Sequence, residues 1–191
     1  MNEERVELGE PGAGLPWLEL QIARVGFAWS RWRKSRAEFA DLFVAERDRV
    51  LELAARCDAE TGTRQVLIDR VRGMEDSSRH WSVFMTLEHL RMVNLSFAGI
   101  LRSLVRDEIP EGEARTADVK PGPGVGIEVL PEFERSCELF LKNSHKIAGG
   151  KGNSRFSHPW FGPMDADGWH ALGAVHMRIH RQQIEKILEA Q

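Results

Sequence analysis

A chain of 191 residues is long enough for one domain with a substantial core and too short for two comfortable ones. Hydrophobic content of 42% and charged content of 29% are ordinary for a soluble globular protein, and a net charge of −3 gives no general pull toward nucleic acid or anionic lipid. No apolar run approaches a membrane span, the acidic N-terminus does not look like a signal peptide, and Cys57 and Cys137 are too far apart for a C-x-x-C motif. The expectation is a cytoplasmic protein without disulfides that binds neither nucleic acid nor membrane.

Residues 1–14 carry Glu, Gly and Pro with little to bury, which predicts a flexible N-terminal arm; residues 15–191 form the single domain. From Leu15 the apolar residues Leu15, Leu18, Ile22, Val25, Trp29 and Trp32 recur at helical spacing, an N-terminal helical extension over 15–36. The basic run from Arg31 to Arg36 with its interleaved tryptophan is read as a solvated face beside buried aromatics rather than a nucleic-acid surface. A second helical pattern runs from about Ala37 to Ala59, with Phe39, Leu42, Phe43, Val50 and Leu53 on one face and Glu46 in the middle of it. A carboxylate there needs a cation or a donor: an arginine, or a metal or its ligands.

Thr61-Gly62-Thr63 breaks the pattern, and a short polar helix is predicted around Arg64 to Val71. With Ser82 as a fair N-cap, and Ser77 or Ser78 serving equally well, a long helix to about Val105 buries Val83, Leu90, Asn94, Phe97, Leu101 and Leu104, leaving His89 at the edge of the apolar arc. Residues 109–126, with Pro121-Gly122-Pro123-Gly124, are a long crossover loop. A third helix is expected from about Glu128 to Ala148, followed by glycines and an irregular aromatic segment from Phe156 to Pro163. No strand pattern is evident.

The last helix, from about Asp165 or Asp167, places Trp169, Leu172, Gly173, His176, His180, Gln183 and Ile187 on one stripe. Two histidines one turn apart on an apolar face offer two imidazoles to a single cation, with Gly173 leaving room beneath it. The alternative is two hydrogen-bonded core histidines, and spacing alone names no third ligand.

Trp81-Ser82 with His89-Leu90, then His176-x-x-x-His180-Arg-x-Gln183-Ile184, resembles the DinB/YfiT-like superfamily, and His158-Pro-Trp-Phe-Gly-Pro before Trp169 is similar to one branch of it. The resemblance covers roughly Ala37 to Leu188. It implies an all-α four-helix bundle with up-down-down-up topology and a divalent metal held by His89, His176 and His180. The amphipathic N-terminal extension and the long Pro/Gly loop depart from the family pattern.

Three neutral imidazoles leave coordination positions open, which suits catalysis better than a closed structural site. The set fits zinc or nickel, with iron and manganese as alternatives. Gln183, Asn94, Glu46 and Glu88 are the side chains available to orient the ligands from behind, with Glu46 or Asn94 expected nearest to them. His80, His145 and His170 are read as surface, loop or capping residues, and His158 as the further histidine best placed to reach the pocket. The resemblance implies a metal-dependent enzyme acting on a small-molecule substrate. The ion activates either a low-molecular-weight thiol, giving a transferase, or water, giving a hydrolase; a non-catalytic metal-binding bundle is the third reading. The family implies a homodimer, and the Trp17 to Trp32 segment either supplies its contact surface or packs onto its own bundle.

Overall fold

Ser35, Ser82 and Asp165 each open a bundle helix by accepting a hydrogen bond from a backbone N–H three residues on, at 3.2, 3.1 and 2.8 Å. Ser35 and Glu38 also close a reciprocal capping box. Each cap is worth about 1 kcal/mol to its helix. The computed structural model describes residues 7–149 and 152–191. Its helices are α1 (Trp17–Arg33), α2 (Arg36–Ala54), the single-turn α3 (Ala59–Thr63), α4 (Val83–Leu104), α5 (Val129–Ser144) and α6 (Ala166–Glu189).

Helices α2, α4, α5 and α6 form the bundle, with α6 packed between α2 and α4, and α5 against α4. Their directions follow from side-chain pairs. Arg36 meets Asp167 and Glu46 meets Arg181, so α2 and α6 run parallel. Phe97 packs on Trp169 while His89 packs on His180, so α4 and α6 run antiparallel. Asn94 meets Cys137, and Arg102 lies beside Lys146 further on, so α4 and α5 run parallel. The result is the up-down-down-up bundle, its core built from Phe43, Phe84, Leu87, Leu101, Phe133, Phe140, Trp169 and Ile184. Phe43 and Phe140 stack with ring centroids 4.4 Å apart, closing the bundle between α2 and α5.

The connections differ from the sequence reading in three places. Thr61-Gly62-Thr63 does not break a helix but belongs to α3, which Asp58 caps by accepting from the Glu60 and Thr61 N–H groups; Gly62 lies against the Phe84 ring, whose nearest atom would stand 2.2 Å from an added Cβ. The helix expected over Arg64 to Val71 is instead β1 (Val66–Leu67), paired antiparallel with β2 (His80–Trp81). The aromatic segment after α5 is a hairpin of β3 (Phe156–His158) and β4 (Gly162–Met164). These strands are two or three residues long, too short for an alternating pattern to show.

Part of the N-terminal arm, residues 1–6, lies outside the described residues. The rest is tethered: Gly9 N–H donates to Asp76 at 2.8 Å, Gly12 N–H to Glu75 at 3.2 Å, and Leu15 is buried. Helix α1 is fastened to the bundle mainly by polar contacts. Glu19 pairs with Arg70 and accepts the Gly73 N–H, Arg24 donates to the Trp160 carbonyl, and Arg31 bridges to Asp165. Within α1, Phe27 alone is fully buried. The basic run therefore clamps onto the start of α6, and the apolar stripe of α1 faces solvent.

Candidate metal centre

Three imidazoles meet at the α4/α6 interface. His89 lies one and a half turns into α4, and His176 and His180 lie one turn apart on α6. Their ring centroids are 4.4 Å (His89–His180), 4.4 Å (His176–His180) and 5.0 Å (His89–His176) apart. One nitrogen from each falls within 4.8 Å of the others, and His89 Nε2 stands 3.1 Å from His176 Nε2. Around an ion with nitrogen ligands at ~2.0–2.1 Å in a tetrahedral set, those nitrogens lie roughly 3.3 Å apart, so small ring movements bring all three into range.

The outer nitrogens decide which atoms face the centre. The Val119 carbonyl accepts from His89 Nδ1 at 2.6 Å. Gln183 accepts from His180 Nδ1 through Oε1 at 2.6 Å, and its own Nε2 donates to the Ser78 carbonyl at 2.7 Å, which fixes the amide's orientation. With their protons on Nδ1, His89 and His180 present Nε2 lone pairs inward. His176 Nδ1 is buried with no hydrogen-bond partner among the described residues. Burial holds the His89 ring down to about 4 and pushes His176 and His180 well below the ordinary imidazole range, where mutual repulsion of the rings adds to it. At neutral pH the cluster is three uncharged bases with converging lone pairs, the donor set that suits a divalent cation.

A second layer comes from the crossover loop. Lys120 Nζ reaches Glu75 at 2.8 Å, Ser78 Oγ at 2.8 Å and Ser77 Oγ at 3.0 Å, and lies 5.4 Å from the centroid of Trp81. Burial works against the Glu75 carboxylate, but Lys120, the Gly12 N–H and the Thr116 hydroxyl outweigh it and hold its pKa below the usual range. This knot pins Val119 beside His89. Trp81 packs against both His89 (5.2 Å) and His180 (6.3 Å, nearly parallel).

Beside the histidines lies a cavity of about 180 Å³ walled by Val93, Phe97 and Trp169, with Thr116, Lys120 and His158 as polar wall residues. His158 Nδ1 accepts the Trp160 N–H at 3.1 Å, which leaves the ring proton on Nε2, and burial keeps the ring neutral with a pKa of about 4.

The other candidates fall elsewhere. Glu46 is bound to Arg181, which also holds Glu185, and reaches no imidazole. Asn94 donates to Ser136 and Cys137 of α5 at 3.3 Å each, and Glu88 pairs with Arg91. Of the four only Gln183 touches a site histidine. Gly173 does not make room for an ion: an added Cβ would stand 2.4 Å from the Phe140 ring, so its role is packing. His170 is neither surface nor cap but buried, with Nε2 unpartnered among the described residues. His80 and His145 are exposed. The Val119 carbonyl, Ser78 and the Lys120–Glu75 pair escaped the sequence reading, since no residue type marks a backbone acceptor.

A four-helix bundle carrying a buried triple-histidine cluster beside a small cavity is the class that fold and site define. The family model for the DinB superfamily matches residues 42–184, and the chain belongs to that superfamily. A solved structure described as TT2238, a four-helix bundle protein, is 22% identical, with a TM-score of 0.56 over 79% of this chain and 98% of that one, a likeness of fold. No curated protein matches. No helix among the described residues is long and apolar enough to cross a membrane.

Proposed function

We propose that this chain is a metal-dependent enzyme in which His89, His176 and His180 hold one divalent cation, zinc or nickel by donor type, and that its reaction is transfer of a low-molecular-weight thiol onto an electrophile. The observation that carries the reading is the pair of Nε2 lone pairs aimed inward by Val119 and Gln183, converging with His176 next to the cavity. When bound, the ion supplies Lewis acidity that favours the anionic form of a thiol or of water at neutral pH.

The chain's own residues do the rest. Val119 and Gln183 keep His89 and His180 in the ligating tautomer. Val93, Phe97 and Trp169 give the small cavity apolar walls against which the carbon skeleton of a substrate can pack. His158 offers its Nε2–H from the wall as a neutral donor for an electrophile's oxygen or leaving group. Lys120, already committed to Glu75 and two serines, holds the loop in place rather than acting as a base.

The test is metal analysis of protein purified without a His-tag, followed by reaction of glutathione or cysteine with monochlorobimane and, separately, hydrolysis of a nitrophenyl ester. One equivalent of metal and chelator-sensitive thiol transfer support the proposal. Metal-dependent ester cleavage without thiol replaces the transferase with the hydrolase reading. Stoichiometric metal without turnover leaves a metal-binding bundle, and no metal at all removes both activities.

A further inference from the structure

The apolar face of α1 points away from the protein. Trp17, Leu18, Ile22, Val25, Trp29 and Trp32 are 73, 64, 64, 71, 60 and 77% exposed. Leu18, Ile22, Val25, Trp29 and Trp32 follow the alternating four-and-three spacing of a helix–helix seam, with Val25 at its midpoint. The positions beside the seam are Gln21 and Ala28 on one side and Glu19, Gly26 and Arg33 on the other; Glu19 is paired with Arg70 of the same protomer and Arg33 lies over the Trp29 ring. At these exposures the six side chains present roughly 800 Å² to solvent, beyond the ~300–600 Å² largest patch of an ordinary monomer and equal to the ~800 Å² that one partner brings to a standard interface.

We propose that this face is covered by α1 of a second copy of the chain, the two helices crossing antiparallel about a two-fold axis at Val25. Charge sets the direction. The C-terminal end of α1 carries Arg33 and Lys34, neither ion-paired among the described residues, whereas Glu7 and Glu10 lie exposed ahead of its N-terminal end. An antiparallel pair brings basic end to acidic end and opposes the helix dipoles; a parallel pair would set the two basic ends side by side. A membrane surface is a poorer occupant. Arg24 and Arg31, which would face lipid headgroups on an interfacial helix, are turned onto the bundle at Trp160 and Asp165. The proposal does not rest on the metal centre.

Sedimentation velocity of the full chain tests it, with the mass read between 1 and 100 µM. The expected result is twice 21.7 kDa for the native sequence and 21.7 kDa for Val25→Glu/Trp29→Glu. Because both positions are solvent-facing in the protomer, the variant's circular dichroism should be unchanged. In a Cys57→Ser background, Val25→Cys should crosslink on mild oxidation and Leu18→Cys should not. A monomeric native chain, a dimer that survives the double substitution, crosslinking at Leu18 instead of Val25, or a monomer that floats with phosphatidylcholine/phosphatidylglycerol vesicles would each overturn it.

Discussion

Gln183 holds His180 from behind: its Oε1 accepts the imidazole Nδ1–H at 2.6 Å while its Nε2 donates to the Ser78 carbonyl at 2.7 Å. A glutamine three residues after a histidine of the cluster thus settles which nitrogen of that ring faces the centre, and it ties α6 to the turn preceding α4.

Replacing Gln183 with Leu keeps the size and removes both hydrogen bonds. The Ser78 carbonyl and His180 Nδ1–H then lose their buried partners, at a cost of about 1–3 kcal/mol. Metal affinity should fall 10–100-fold, the usual effect of removing such a support. Urea unfolding and competitive metal titration would check the two effects separately.

His89→Ala, His176→Ala and His180→Ala should each abolish stoichiometric metal, because two imidazoles cannot hold the ion as three do. Thermal unfolding with and without added zinc gives the readout. A ligand present at 100 times its Kd stabilises the folded native chain by about 2.7 kcal/mol, and the three variants should gain far less. A variant that keeps both its metal and its zinc-induced stabilisation would remove that histidine from the ligand set.

Gly173→Ala should destabilise by about 1–3 kcal/mol through overpacking, since the new methyl would sit 2.4 Å from the Phe140 ring. Metal content should stay unchanged. Phe140→Leu in the same background should recover part of the loss, which a denaturation series on the single and double variants would reveal.

His170 supplies a pH dependence distant from the three-histidine cluster. Its ring is 1% exposed, and burial lowers its pKa from 6.5 to about 4. Between those values the unfolded chain takes up a proton that the folded ring refuses, so its stabilising contribution is complete above pH 6.5 and is lost as pH falls toward 4. The displacement corresponds to about 3 kcal/mol. In His170→Gln that dependence should disappear, and the stability gap between native and variant chains should narrow by about that amount from pH 7.5 to 4. Urea midpoints across the range are the measurement.

The bundle helices were legible because their signals are local. Ser82 before Val83, Asp165 before Ala166 and the apolar period of α4 and α6 all lie within a few residues of what they specify. The strands were not, because Val66 pairs with Trp81 and Phe156 with Met164 in ribbons too short to carry a period. His170 was misplaced because its neighbours in sequence say little about Phe140, the α5 ring it lies beside.

The sequence by itself determined the helical bundle and the pairing of His176 with His180, since a four-residue separation on one helix fixes two side chains relative to each other. Periodicity left His89 undecided and the family resemblance alone pointed to it; the tertiary structure brings it, 87 residues away from His176, to the other two rings, and only the tertiary structure decided that a backbone carbonyl at Val119 aims it. It likewise turned the apolar stripe of α1 outward, by ion pairs such as Arg31–Asp165 between residues far apart in the chain. The reason is common to all three. A helix's own geometry follows from short-range spacing, but which face it buries depends on distant partners that periodicity does not name.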